Sequence, residues 1–169
     1  MFRSADSAMR WAGLQKHRLI IDSPCINTMQ QVNSSHGLSN DLVEGLTPQQ
    51  RQLQAETIHR YAMDLTDQAA SEYLQIRYFC ADKYDALMNQ VLSRLLYSGG
   101  VRRRGIQDLM LEYVGRKQLT QRDLRHVLKC DRNAVARYKD QVYAALDSIH
   151  YRAMAQIEER MIDAGLIER

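Results

Sequence analysis

The 169-residue sequence lacks the features of secreted, membrane-spanning and disulfide-stabilised proteins. Its three cysteines, Cys25, Cys80 and Cys130, are far apart, and none has a cysteine or histidine neighbour at zinc-ligand spacing. This odd, scattered set argues against a disulfide framework and a zinc site, and for a reducing compartment. No run approaches the ~20 apolar residues of a membrane span, and the N-terminus has no apolar segment of signal-peptide type. We therefore expect a cytoplasmic protein with no membrane partner.

Residue arrangements that carry catalysis are also missing. Gly99 and Gly100 lack the lysine and the hydroxyl residue of a phosphate-binding loop, and no glycine-rich loop follows a strand pattern. The five histidines are scattered, and His126 is expected to be a surface or hydrogen-bonded residue rather than a base. Nothing in the pattern brings Asp140 and Asp147 into a carboxylate cluster, so a nuclease is a poor fit. We expect no enzymatic activity, no catalytic residue, no metal ligand and no cofactor.

Helix start signals and apolar spacing predict a series of helices from residue 47 onward. Thr47 followed by Pro48 marks the first start, and Asp67 and Asp82 are the candidate caps of the next two helices. The last helix is predicted to be the longest, because apolar residues three and four apart continue along it. These residues are Val142, Leu146, Ile149, Ala153, Ile157 and Met161.

The predicted fold is all-α, since no strand alternation of any length occurs. It is a helical bundle that contains a helix-turn-helix and has an irregular N-terminal arm. The arm covers residues 1–46, where turn-forming residues and Pro24 interrupt helical patterns. Within it, Ala5 to Leu14 is a short amphipathic candidate helix, and the arm as a whole adds little obvious core. Residues 47–169 form the helical body.

The stretch from Leu119 to Leu146 has the spacing of a helix-turn-helix, placed at residues 120–146. Its apolar residues fall where two short helices must pack against each other and against a third. They are Leu124, Leu128, Cys130, Val135 and Tyr138.

Capping residues mark both helix starts of this motif. Thr120 and Asp123 can form a capping box, and Asp131 can cap the second helix. Two positions depart from the usual pattern: Arg125 stands where a small residue is common, and Lys129 where glycine is common. An αα-hairpin with no role in DNA binding has similar spacing, and spacing alone does not separate the two.

Charge favours DNA binding over the plain hairpin. Residues 101–139 contain eleven basic and four acidic residues, a net +7 in a chain of net +3, so the remainder carries −4. A basic block centred on a helix-turn-helix is typical of a protein that binds a phosphate backbone. A solvated charged face, the plainer alternative, usually mixes the two signs more evenly.

The exposed side of the second helix is predicted to read DNA bases through Arg132, Asn133, Ala136 and Arg137. Arginine can donate to guanine O6 and N7, asparagine can pair with adenine, and alanine leaves room for a thymine methyl group. The alternative role of the two arginines is solubility alone. Phosphate contacts are predicted for the flanking residues Thr120, Gln121, Arg122, Lys129, Lys139, Arg102, Arg103 and Arg104. For the arginine triplet, an acidic protein surface is an equal alternative.

Segments along most of the chain carry a family resemblance. The helix-turn-helix resembles that of bacterial sigma-factor region four and of phage regulators. Four further segments resemble phage late-gene transcription antitermination proteins of the Q type, the lambdoid-phage antiterminator Q family. These segments are Ser4–Ala12, Ile20–Asn27, Leu42–Arg51 and Leu146–Met154.

The resemblance implies a specific function. Proteins of this family bind a DNA element near a phage late promoter and load onto RNA polymerase paused close by, in contact with the sigma factor. They then travel with the polymerase and make it read through terminators by narrowing the RNA exit path. The implied partners are double-stranded DNA, bacterial RNA polymerase, the sigma factor and nascent RNA, in the host cytoplasm. The arm would contact polymerase or RNA.

Two alternatives stay open beside antitermination. One is a sigma-like or repressor-type phage regulator that binds DNA without travelling on the polymerase. The other is a DNA-packaging adaptor similar to a terminase small subunit, which would form rings through its long helices. One branch of the Q proteins carries paired CxxC zinc motifs, and this chain has none, so a zinc-dependent mechanism does not transfer to it.

Overall fold

The structure, a computed structural model, describes residues 2–17, 45–95 and 103–167. The predicted all-α class is confirmed, because these ranges contain helices and no strand, only an isolated bridge between Phe2 and Ile167. The helices are α1 Ala5–His17, α2 Pro48–Met63, α3 Gln68–Phe79, α4 Asp85–Arg94, α5 Arg103–Tyr113, α6 Gln121–Leu128 and α7 Arg132–Asp163. None of them is long and apolar enough to cross a membrane. Several residues singled out in the sequence lie outside the described ranges: Pro24, Cys25, Gly99, Gly100 and Arg102.

Helix α7 is the scaffold on which the other described helices assemble. Its 32 residues contact each of the other six. The predicted apolar seam is buried along its whole length, and burial of each large aliphatic side chain contributes about 1.5–3 kcal/mol. The prediction of one long final helix is confirmed by the burial of Val142, Leu146, Ile149, Ala153, Ile157 and Met161.

Helix α1 packs into the core of the bundle. Ala5, Ala8, Met9 and Ala12 are buried, and the helix contacts α2, α3 and α7. The alanine side chains are small, so the backbone of α1 can approach the neighbouring helices closely. The expectation that the arm adds little core is therefore wrong for this helix.

A half-buried carboxylate, that of Asp6, links α1 to α3. Asp6 accepts hydrogen bonds from the Tyr78 hydroxyl at 2.5 Å and from Arg10 Nε at 2.6 Å. Burial alone would raise the pKa of Asp6, but the bonds from Arg10 and Tyr78 outweigh it and hold the pKa below its ordinary value. The charged form of Asp6 is therefore stabilised by folding.

A histidine on α7 contacts a tyrosine on α3. His150 Nδ1 lies 3.2 Å from the Tyr73 hydroxyl, which also accepts a hydrogen bond from Arg77 at 2.7 Å. Burial, together with the nearby positive charge of Arg77, lowers the pKa of His150. Folding thus favours the neutral imidazole.

The starts of α2 and α3 agree with the sequence. The Thr47 hydroxyl accepts from the Gln50 amide at 3.2 Å in a capping box. Asp67 accepts from the Ala69 and Ala70 amides at the start of α3. On α2 the buried residues are Ala55, Ile58 and Ala62, while Leu53 is exposed.

Helix α4 begins later than predicted, and a side chain from another helix caps it. The sequence favours Asp82 as the cap, but α4 starts at Asp85, and the side chain of its N-cap residue, Tyr84, does not cap the helix. Glu72 of α3, only 4% exposed, instead accepts from the Leu87 amide at 2.9 Å. Asp82 pairs with Arg116 at 3.2 Å. The prediction at Asp82 is wrong because the capping side chain comes from another helix, and such a cap leaves no pattern in the local sequence.

The cysteines differ in chemical state. Cys80 is disulfide-bonded, whereas Cys130 is a free thiol packed against the core. The expectation that argued against a disulfide framework is wrong at Cys80, whose sulfur is in a disulfide bond. Cysteine usage therefore no longer supports a reducing compartment.

Candidate nucleic-acid interface

A glycine on α5 allows α6 to pack closely against that helix. An ideal Cβ placed on Gly105 would lie 2.4 Å from Leu128 Cδ2 and 3.1 Å from Leu128 Cγ. Leu124 and Leu128 are both buried beneath α6. Gly105 therefore provides the close approach that this motif commonly takes from a small residue within α6, and Arg125 at that position is exposed.

The predicted caps and turn are confirmed. The Thr120 hydroxyl accepts from the Asp123 amide at 3.2 Å, and the Asp123 carboxylate accepts from the Thr120 amide at 3.0 Å. Lys129 ends α6 in the left-handed region with φ +53°, where glycine is the usual residue. The Asp131 carboxylate then accepts from the Ala134 amide at 2.8 Å and starts α7.

The residues predicted to read bases share one surface at the start of α7. Arg132, Asn133, Ala136 and Arg137 are all exposed, while Val135 on the opposite side is buried. We name these four residues the reading face. Both of its arginines are exposed, and neither forms an ion pair with another described residue.

The predicted phosphate contacts around α6 differ in availability. Gln121, Arg122 and Lys129 are exposed. The Thr120 hydroxyl, by contrast, donates to Asp123 Oδ2 at 2.7 Å, so its proton is used by the cap.

Among the predicted phosphate contacts that the structure describes, Lys139 is the least accessible. Its ammonium donates to Glu112 Oε1 at 3.0 Å and lies 5.1 Å from the centre of the Tyr143 ring. Burial acts to lower the pKa of Lys139, but the hydrogen bond to Glu112 reverses this and raises it. The side chain is therefore directed to α5 and Tyr143 within the protein.

The arginine triplet does not form one cluster among the described residues. Arg103 pairs with Asp85 at 3.1 Å. Arg104 is exposed and has no ion pair with another residue that the structure describes. Arg102 lies outside the described ranges, so the predicted contact there has no structural account.

Ion pairing sorts the basic block into two groups. Arg103, Arg116, Lys117 and Lys139 pair with carboxylates on α4, α5 or the loop before α4. The second group forms no ion pair within residues 2–17, 45–95 and 103–167, and apart from Arg104 it lies on α6, the turn and the start of α7. Its members are Arg104, Arg122, Arg125, Lys129, Arg132 and Arg137. Among the described residues of the basic block, the cations without an ion pair are therefore concentrated at the helix-turn-helix.

Two further observations bear on function. In the part of the chain that the structure describes, no group of three histidine, cysteine, aspartate or glutamate residues is placed to hold a metal ion. No protein-family model and no curated protein sequence matches this chain. Function is therefore inferred from the interface and from the resemblance of the sequence segments.

Proposed function

We propose that this protein is a phage transcription antiterminator that binds duplex DNA near a late promoter through its helix-turn-helix. The observation that supports DNA binding is the reading face, where an asparagine and two arginines without an ion pair to any described residue lie exposed at the start of α7. These side chains match the donors and acceptors that bases present in the major groove. The groove, about 12 Å wide, admits one helix.

The surrounding positive charge supports the same conclusion. Arg122 and Lys129 adjoin the reading face through α6 and the turn, and neither forms an ion pair with a described carboxylate. Charges of this kind neutralise phosphates, while the base contacts distinguish sequences. Because the reading face is part of α7, on which the other described helices assemble, it is held at a fixed orientation to the helical body.

The polymerase-dependent part of the proposal is supported by the resemblance to the Q-type antiterminators. On this proposal the DNA-bound protein loads onto bacterial RNA polymerase, in contact with the sigma factor, and the modified polymerase passes terminators. Nascent RNA is then a further partner, and the host bacterial cytoplasm is the location. No enzymatic activity and no cofactor are required of the protein.

Substitution of the reading face tests the DNA-binding step. Duplexes are first selected from a random pool by the wild-type protein, and affinity for the selected and unselected duplexes is then compared. Arg137→Ala is expected to lower the discrimination between them by about 1–3 kcal/mol, the cost of removing one bidentate base contact. Arg60→Ala, an exposed arginine on α2, is the matched control. Unchanged discrimination in the Arg137 variant contradicts base reading by this residue.

A transcription assay separates antitermination from a regulator that binds DNA alone. Both functions use the same reading face, so DNA binding does not distinguish them. Read-through of a terminator by purified polymerase, dependent on both the protein and the selected DNA placed near the promoter, supports antitermination. Tight DNA binding with no read-through supports the sigma-like or repressor-type alternative.

A further inference from the structure

A second basic surface adjoins the reading face and shares no residue with it. It is a concavity of about 480 Å³ lined by Arg122, Arg125, His126, Lys129, Cys130 and Asp131. We name it the basic concavity. Arg125, His126 and Cys130 have no part in the base-reading surface, and the concavity is formed by α6 and the turn rather than by α7.

Helical spacing explains how the sequence builds this surface. Arg122, Arg125, His126 and Lys129 are three or four residues apart, so they share the side of α6 away from buried Leu124 and Leu128. The left-handed conformation of Lys129 then turns the chain. The turn brings Cys130 and Asp131 to the edge of the same concavity.

Positive charge dominates the concavity. Three cationic side chains line it, and none forms an ion pair within the described residues. The single carboxylate, Asp131, already accepts the Ala134 amide at 2.8 Å. Burial raises the pKa of the Cys130 thiol, with a further contribution from Asp131, so the thiol adds no negative charge. Like charges three and four residues apart destabilise a helix, so the isolated fold gains nothing from this arrangement.

We propose that the basic concavity binds a backbone phosphate of a nucleic acid, as a contact separate from the reading face. The inference rests on the proposed DNA-binding function and deepens its phosphate-binding part: the concavity places Arg125 in one site with Arg122 and Lys129, the two predicted phosphate contacts. Arginine guanidinium groups suit phosphate because their donors form a planar fork. The concavity therefore gives Arg125, at a position where the motif commonly has a small residue, a role in binding.

The lining favours nucleic acid over an acidic protein partner. Protein interfaces centre on aromatic and apolar anchors that fill pockets. The residues that line the concavity include no phenylalanine, tyrosine, tryptophan or aliphatic side chain, and Cys130 is the one small apolar group among them. A phosphodiester needs only charge and hydrogen-bond donors, and this surface supplies both.

Salt titration of DNA binding tests the proposal. The probe is a short fluorescent duplex of random sequence, and its affinity is measured by anisotropy between about 50 and 200 mM salt. Arg125→Ala is expected to weaken binding to all duplexes equally and to reduce the salt slope by about 0.9, the value for one phosphate neutralised. Arg125→Lys, which keeps the charge but removes the fork, is expected to keep the slope at lower affinity. Arg60→Ala is the control for removal of one positive charge elsewhere.

The outcomes separate this proposal from the proposed function. If the wild-type slope is steep and Arg137→Ala loses discrimination, but Arg125→Ala behaves as Arg60→Ala does, the concavity proposal is overturned and DNA reading stands. A flat wild-type slope overturns both. A polyglutamate peptide that binds the wild type but not Arg125→Ala, with the duplex slope unchanged in that variant, also overturns the proposal and indicates an acidic protein partner. Thermal unfolding checks that each variant is folded, as expected for an exposed side chain.

Discussion

Substitution of Gly105 by alanine tests how the helix-turn-helix is seated on the body. The new Cβ would lie 2.4 Å from Leu128 Cδ2, although it would be 3.5 Å from Leu128 Cα, an ordinary contact. Carbon atoms pack at about 3.5–4.0 Å, so the leucine methyl must move by about 1 Å. Leu128 is only 2% exposed, so the methyl must move within the protein interior.

Two opposing effects set the expected magnitude. Extra carbon in a packed interior costs about 1–3 kcal/mol, whereas alanine stabilises a helix over glycine by about 0.5–1 kcal/mol. We expect Gly105→Ala to lower the free energy of unfolding by about 0.5–2 kcal/mol. If Leu128 is first changed to alanine, the clash disappears and the helix preference stays. In that background Gly105→Ala is expected to stabilise the protein by about 0.5–1 kcal/mol.

Urea unfolding followed by circular dichroism measures both effects, with constant m-values as the check on two-state behaviour. The decisive result is a change of sign between the two backgrounds. Equal destabilisation by Gly105→Ala with and without Leu128 would refute the steric explanation.

Three further predictions concern one buried and two half-buried polar groups. Glu72→Ala removes the acceptor of the Leu87 amide and is expected to lower the free energy of unfolding by about 1.5–3 kcal/mol; Glu56→Ala, on exposed α2 surface, should change it little in the same urea assay. The folded-state pKa of Asp6 lies below its ordinary value of 3.8. The stabilisation from its charged form is therefore present above pH 3.8 and is lost as pH falls through the folded pKa. The melting temperature of Asp6→Asn should fall less than that of the wild type over this range. The pKa of His150 is lowered from 6.5, so stability should decrease as pH falls from 6.5 toward the folded pKa; if His150→Gln shows the same decrease, another group is responsible.

Local chemistry explains which parts of the fold the sequence predicts. The caps at Thr47, Thr120 and Asp131 are recognisable because an N-cap side chain bonds amides two or three residues away. The seam of α7 is recognisable because one periodic pattern continues through it. The start of α4 is not, since its capping carboxylate comes from Glu72 on another helix.

The interface shows the same division. The reading face follows from the sequence because the exposed side of a helix is fixed by where its apolar residues lie. The number of basic residues in the sequence says less about which of them can bind a ligand. Carboxylates on α4 and α5 neutralise part of the basic block, and their positions depend on the fold. The sequence predicts a phosphate contact for Lys139, yet Glu112 holds this side chain. Arg125, in the sequence only a departure from the motif, lines a concavity in the structure.

The length of α7 has a geometric consequence for any larger assembly. Its 32 residues extend about 48 Å at 1.5 Å per residue, from the arginines at one end to the turn at the other, where the Leu166 carbonyl accepts from the Phe2 amide. Docking the first turns into a groove would fix the direction of this rod and its rotation about its own axis. A second macromolecule that binds the distant end of α7 would then be held at one distance and one angle from the duplex. The number of residues between the two ends of the helix sets both.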